Sequence, residues 1–325
     1  MRALVFDGTM LTLRERPRPV AEEGYAVIRV EIAGICNTDL EIKDGYMGFR
    51  GILGHEFVGT VASGPASWTG RRVVSEINFG CGECEECLLN ESRHCATRRV
   101  MGILDADGAF AEYVAAPVRN LHAVPDEVKS QEAVFCEPLA AAFEILEQIT
   151  VQNGERCTVI GDGKLGLLIA QVLADAGARV CCVGRHAANL AILTNLGIET
   201  TTLDAWSGNH ANSSDLVVEA TGRAEGFRLA VEATRPRGTL VLKSTLAASG
   251  EIDLAPLVID EIRLVGSRCG PFTPALRALK EHRIAVEPLV SGLFPLARAD
   301  EGLSHAGTRG VRKVLVDCAG THDTR

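Results

Sequence analysis

The apolar positions of this 325-residue chain follow two rhythms. In the first third they come in short bursts. Residues 25–33 alternate apolar and polar side chains with β-branched content, the period of a half-buried strand. Residues 57–61 and 72–74 predict further short strands, and the glycines and prolines between them predict a β-rich, partly barrel-like module. From Glu132 the rhythm changes: alanines and leucines recur at helical spacing as far as Gln148. Strand-like runs at 157–161, 179–183, 199–203, 215–220, 239–243 and 262–265 then alternate with helix-length segments at 165–176, 187–196 and 226–233. That alternation predicts a parallel sheet covered by helices on both faces. A helix at 274–282 and a closing strand at 313–317 complete the pattern.

Composition narrows the class without naming it. A hydrophobic content of 46% and a charged content of 23% are ordinary for a soluble globular protein, and the length suits two domains or one large one. The net charge of −9 argues against nucleic-acid or anionic-membrane partners, which reward basic patches. No run of uncharged apolar residues is long enough for a membrane span, and the opening Met-Arg-Ala-Leu-Val-Phe-Asp-Gly does not read as a signal peptide. Eleven cysteines without an export signal predict a reducing, cytoplasmic setting.

Four of those cysteines, Cys81, Cys84, Cys87 and Cys95, are spaced C-x2-C-x2-C-x7-C. Thiolates at this spacing on a glycine-bearing loop can converge on one tetrahedral zinc ion, a closed structural site with no open position for chemistry. Gly161-Asp162-Gly163-Lys164-Leu165-Gly166 fits G-x-G-x-x-G directly after an apolar strand and opens a helix. Those glycines allow a tight turn, close approach to a pyrophosphate and close helix–strand packing, so a dinucleotide is the expected ligand. At the end of the next strand stands Gly184 where an acid would read the ribose 2′-hydroxyl, and Arg185 follows. That substitution favours NADP(H), with NAD(H) the alternative if Arg185 is only a solvated side chain.

A second metal set is looser. Cys36 in Gly34-Ile35-Cys36-Asn37-Thr38-Asp39, His55 in Gly54-His55-Glu56 and Glu137 in Glu137-Pro138-Leu139 offer a thiolate, an imidazole and a carboxylate. Together they suit a catalytic zinc with a fourth position open. Taken singly, each has a plainer reading: a buried cysteine, a hydrogen-bonded core histidine and a helix-start charge.

With the lobe, the glycine loop and these segments in this order, the chain resembles the zinc-dependent medium-chain dehydrogenase/reductase superfamily over nearly its whole length. Glu137-Pro138 resembles the sorbitol, threonine and glucose dehydrogenase branches. The resemblance implies an α/β protein, with a β-rich GroES-like catalytic domain (residues 1–138 and 269–325, zinc lobe 81–95) and a Rossmann doubly wound domain (139–268). It implies two zinc ions per chain. Cys36 and His55 would hold the catalytic ion, Glu56 would be a direct or exchanging ligand, and Glu137 would bind directly or through water. Thr38 would accept the substrate proton, and Glu137 rather than its neighbour Cys136 would be the ligand. Gly161, Gly163, Lys164, Leu165, Gly166, Gly184, Arg185 and Thr221 would bind the cofactor.

The implied activity is hydride transfer between a secondary alcohol or polyol and a nicotinamide cofactor, by a homodimer or homotetramer. Two features depart from the family pattern. Asp39-Leu40-Glu41 lacks the histidine that completes a proton relay in many relatives, leaving Glu41 or ribose and solvent to finish it. The segment between Cys36 and His55 is short, and its Tyr46, Met47, Phe49 and Arg50 either line the substrate cleft or pack on the domain surface. The alternatives are a non-catalytic dinucleotide-binding scaffold or sensor, and a zinc-independent enoyl or quinone reductase.

Overall fold

The computed structural model describes residues 1–206, 211–244 and 253–320, which group into two compact units. The first comprises Met1–Glu137, Ala275–Glu281 and Leu289–Arg325; the second comprises Pro138–Pro274 and His282–Pro288.

In the first unit the chain opens with a hairpin, β1 (Arg2–Phe6) and β2 (Leu11–Glu15), then runs through β3 (Tyr25–Ile35) and α1 (Asn37–Lys43). Strands β4 (Gly51–Ile52), β5 (Glu56–Ser63) and β6 (Arg72–Ser75) follow, and β7 (Asn78–Phe79), α2 (Glu85–Leu88), β8 (Arg99–Met101) and β9 (Asp105–Ala106) form the lobe and its small sheet. Strands β10 (Tyr113–Pro117) and β11 (Leu121–Ala123) lead to α3 (Ser130–Ala133) and α4 (Cys136–Gln148). The sequence predicts one helix from Glu132; the structure breaks it, with Val134 and Phe135 buried at the junction.

Strand β3 is more buried than its alternation predicts. It pairs with β5, with β10 and with a strand from the far end of the chain, so apart from Arg29, Glu31 and Tyr25 its side chains are enclosed.

The second unit is built from β12 (Arg156–Ile160), α5 (Lys164–Asp175), β13 (Arg179–Gly184), α6 (Ala187–Asn195), β14 (Glu199–Thr202) and α7 (Leu203–Trp206). It continues through β15 (Ser214–Glu219), α8 (Ala224–Ala233), β16 (Thr234–Leu242), α9 (Ala255–Ile259) and β17 (Arg263–Gly266). The sheet order is β14-β13-β12-β15-β16-β17, parallel throughout, which is the doubly wound order of a dinucleotide-binding fold. Central strands are apolar on both faces: Val217, Val218, Leu240 and Val241 are fully buried, as a helix-covered parallel sheet requires.

After α10 (Phe272–Lys280), the strands β18 (Val290–Pro295) and β19 (Lys313–Asp317), with α11 (Ala299–Ala306) between them, return to the first unit. There they extend its seven-stranded sheet, with β19 lying against β3.

Candidate functional site

The candidate site grows from the end of β3. Cys36 caps α1 with an extended backbone (φ −93°, ψ 161°), and its N–H donates to Asp39 Oδ2 at 2.8 Å. The other Asp39 oxygen accepts from Gly54 N–H at 3.2 Å and lies 3.4 Å from His55 Nδ1. One buried carboxylate therefore ties together the two segments that carry the cysteine and the histidine. Gly34 and Glu56 sit opposite each other in the β3–β5 register, and a Cβ on Gly34 would collide with Glu56 Oε2. A glycine is needed there because the carboxylate occupies the space a side chain would take.

Cys36 Sγ, a His55 ring nitrogen and a Glu56 carboxylate oxygen all lie within 4.8 Å of one another. Glu56 Oε2 forms an ion pair with Lys313 Nζ, and both side chains are only 1% exposed. Its other oxygen, Oε1, is buried without a hydrogen-bond partner, as is His55 Nδ1. Burial opposes a charged imidazole, but the Asp39 carboxylate and the Cys36 sulfur outweigh it and hold His55 well above its usual value. Asp39, Glu56 and Cys36 supply more acidic groups than Lys313 and His55 supply basic ones, an excess that a divalent cation would offset. The open oxygen, the soft sulfur and the imidazole fit zinc.

Thr38 Oγ1 stands 3.7 Å from Cys36 Sγ. Glu137, half-buried on the first turn of α4, does not join the group of three, and Cys136 beside it is buried with its thiol pushed up by desolvation. Glu41 accepts from Asn37 Nδ2 at 2.9 Å. Phe49 is buried, whereas Tyr46 and Met47 are exposed.

Cys81, Cys84, Cys87 and Cys95 bring their sulfurs within 4.8 Å of one another. Hydrogen bonds from the Thr97 hydroxyl and the Cys81 amide push Cys95 down to about 6, and those from the Glu83 and Cys84 amides lower Cys81. Both shifts favour the thiolate form that binds metal. Arg119 clamps the loop by donating to Gly80 O.

In the second unit, Gly161 adopts φ +123°, and a Cβ there would approach Ala220 O at 2.9 Å. A Cβ on Gly166 would collide with Gly161 O, whereas Gly163 faces open space with nothing within 4 Å of a built Cβ. Lys164 and Leu165 form the first turn of α5. The turn is thus closed on itself at Gly161 and Gly166 and open at Gly163, the shape that receives a pyrophosphate. Thr221 donates its hydroxyl to the buried Glu219.

Comparison with known proteins agrees with this architecture. The family model "Alcohol dehydrogenase GroES-like domain" matches residues 22–126, and "Zinc-binding dehydrogenase" matches residues 165–281. The chain is 33% identical over 324 residues to the starvation-sensing protein RspB of Escherichia coli K12, covering 93% of this chain and 94% of that one. It belongs to the zinc-dependent medium-chain dehydrogenase/reductase superfamily. As a member it is a zinc- and nicotinamide-dependent oxidoreductase. Within the superfamily it is also 30% identical over 302 residues to D-altritol 5-dehydrogenase of Agrobacterium fabrum (86% and 88% covered). The solved structure of alcohol dehydrogenase TADH from Thermus sp. ATN1 superposes with a TM-score of 0.89 at 27% identity, covering 98% of this chain and 99% of that one.

Sequence reasoning passed over three residues, two in the first unit and one in the second. Asp39 stood inside a quoted motif, three positions after Cys36, which is the spacing of a helix-capping carboxylate. Lys313 is a charge opening a strand whose next three residues are apolar, a signal that its ammonium has a buried partner. Asp162 was visible only as a filler position of the glycine loop.

Proposed function

We propose that this dehydrogenase oxidises a secondary alcohol of the polyol or sugar type, or reduces the matching ketone, at a zinc site made by Cys36, His55 and Glu56. Glu137 would serve the same ion through water. The observation that carries the reading is the group of three, with His55 and Glu56 buried, Cys36 half-buried and one Glu56 oxygen open, next to the Thr38 hydroxyl. The likeness to D-altritol 5-dehydrogenase supports a polyol. A zinc ion held there would supply Lewis acidity, which lowers the pKa of a bound water from about 16 to about 7 and acts on an alcohol in the same sense. Thr38 Oγ1 accepts the substrate hydroxyl proton and passes it to solvent, since Glu41 is engaged by Asn37. Asp39 holds Cys36 and His55 in register, and Lys313 limits how freely Glu56 can turn toward the metal. The Gly161–Gly166 turn, with Lys164 and Leu165 opening the helix behind it and Thr221 Cγ2 only 3.2 Å from a Cβ built on Gly161, would hold the nicotinamide dinucleotide, which would supply the hydride chemistry.

The lobe cysteines would hold a second, purely structural zinc, giving two ions per chain. A homodimer or homotetramer in the cytoplasm fits this reading; among the described residues no helix is long and apolar enough to cross a membrane. Gly184 and Arg185 favour NADP(H) by their chemistry, and the Asp162 carboxylate packed against Gly184 weighs toward NAD(H).

The test is a panel of polyols, sugars and simple alcohols assayed by NADH and NADPH absorbance, with zinc measured on the same sample. A Cys36→Ala protein that keeps the wild-type rate would sink the proposal. A second reading, a dinucleotide-binding sensor without turnover, draws on the 33% identity to a starvation-sensing protein. It calls for one zinc per chain and no turnover across the panel.

A further inference from the structure

In this fold the adenosine ribose is read at the end of the second parallel strand, where an acidic side chain accepts from the 2′-hydroxyl. Here that strand, β13, ends at Gly184. A Cβ on Gly184 would lie 2.7 Å from Asp162 Oδ2 and closer still to Asp162 Cβ and Cγ. The space an acid at 184 would need is therefore already filled by a carboxylate that reaches over from the glycine loop. No larger residue fits at 184 while Asp162 is present.

That carboxylate is held firmly. Asp162 Oδ2 accepts from His186 N–H at 2.6 Å and Arg185 N–H at 3.1 Å, and it lies 3.1 Å from His186 Nδ1. Asn189 Nδ2 donates to the Asp162 carbonyl at 2.9 Å. Asp162 is 6% exposed, so its position is fixed by packing as well as by these bonds. The backbone donors of the turn after β13, which would otherwise be free to meet a 2′-phosphate, are satisfied by an internal carboxylate. Arg185, the residue that argues for NADP(H) in the sequence, has its Nη2 2.6 Å from Glu225 Oε2. Both members of that pair are well exposed, so it is a weak tether. Arg185 is thus held loosely at the surface, whereas Asp162 is the fixed charge at this strand end.

Building on the dinucleotide reading above, we infer that Asp162 is the cofactor-specificity residue and that the enzyme selects NAD(H) over NADP(H). A fixed negative charge next to the ribose end of β13 repels a 2′-phosphate, and the backbone donors of the turn that would compensate are already engaged by that carboxylate. An unphosphorylated ribose meets neither obstacle. The acid that Gly184 lacks is supplied in space from a different segment.

The test uses ADP-ribose and 2′-phospho-ADP-ribose, which bind without turnover, titrated calorimetrically into the full-length protein. Wild type should bind ADP-ribose at least tenfold more tightly, and the ratio should shrink as salt rises from about 0.05 to about 0.5 M, because the repulsion is screened. Asp162→Asn, which keeps the shape and removes the charge, should narrow the ratio at least tenfold, chiefly by tightening the phosphorylated ligand. The inference is overturned if wild type prefers 2′-phospho-ADP-ribose, or if its preference ignores salt. A folded Asp162→Asn protein with an unchanged ratio overturns it too. If neither ligand binds, the dinucleotide reading itself fails along with it.

Discussion

Replacing Lys313 by methionine isolates the most exposed assumption about the metal site, that Glu56 is a charged group whose partner is buried with it. Methionine keeps most of the stem packing and removes the ammonium. Three contacts are lost. The Ile35 carbonyl is 3.4 Å away and the Phe135 ring centroid 5.9 Å away, both at the outer edge of useful range. The Glu56 pair dominates, because both side chains are 1% exposed and the carboxylate left behind would be buried and uncompensated. Removing one partner of such a pair typically costs about 3–5 kcal/mol. For a unit of this size each kcal/mol shifts melting by roughly 2–4 °C, so chelator-treated Lys313→Met protein should melt about 10 °C lower than wild type. Zinc should recover much of that loss, since the ion takes over the role of counter-charge, and adding Glu56→Gln should recover most of it without zinc. Scanning calorimetry of the metal-free and zinc-loaded forms reads both effects. If metal-free Lys313→Met melts within about 2 °C of wild type, the account of this pair is wrong.

Three further outcomes are expected. Cys87→Ser should lower the zinc content by about one ion per chain and lower the melting temperature, since a closed four-thiolate site contributes to folding; an unchanged metal content refutes the lobe assignment. Thr38→Val should reduce kcat by about 10²–10⁴, the usual worth of a positioned proton acceptor, while Thr38→Ser keeps most activity; equal rates for the two variants would remove Thr38 from proton transfer. Asp215 is held at about 2: burial works to raise it, but hydrogen bonds from Arg235 and Arg156 outweigh burial. Its contribution to stability is thus full above its ordinary value of 3.8 and lost as pH falls toward about 2. Asp215→Asn should be less stable than wild type by roughly 1–2 kcal/mol at pH 7, allowing for its partly exposed arginine partners, and the gap should narrow as pH falls from 3.8 toward about 2. A gap that does not change with pH contradicts the ion-pair explanation.

The second unit was the most legible part of the chain, because a parallel sheet buried on both faces writes itself as apolar runs separated by helix-length segments. Its six strands lie within a residue or two of their predicted positions, except β16, which begins earlier at Thr234. The first unit was harder. The hairpin of β1 and β2, the two-residue strands of the lobe region and β18 carry no periodic signal long enough to see. The predicted helix from Glu132 broke at two buried residues because tertiary packing overrides local propensity.

The chain's own order of residues determined its family, the four-cysteine lobe and the glycine turn, because each of these is a local spacing whose chemistry does not depend on distant contacts. The tertiary structure alone decided what those residues are set against. Lys313 reaches Glu56 across 257 positions of sequence, and Asp162 reaches the turn after β13 across 23 or more. A single linear sequence records which charges exist, while their pairing depends on strand order and register. The end of β13 is the clearest case: read along the chain, Gly184 and Arg185 lack an acid, and in space the Asp162 carboxylate stands beside them.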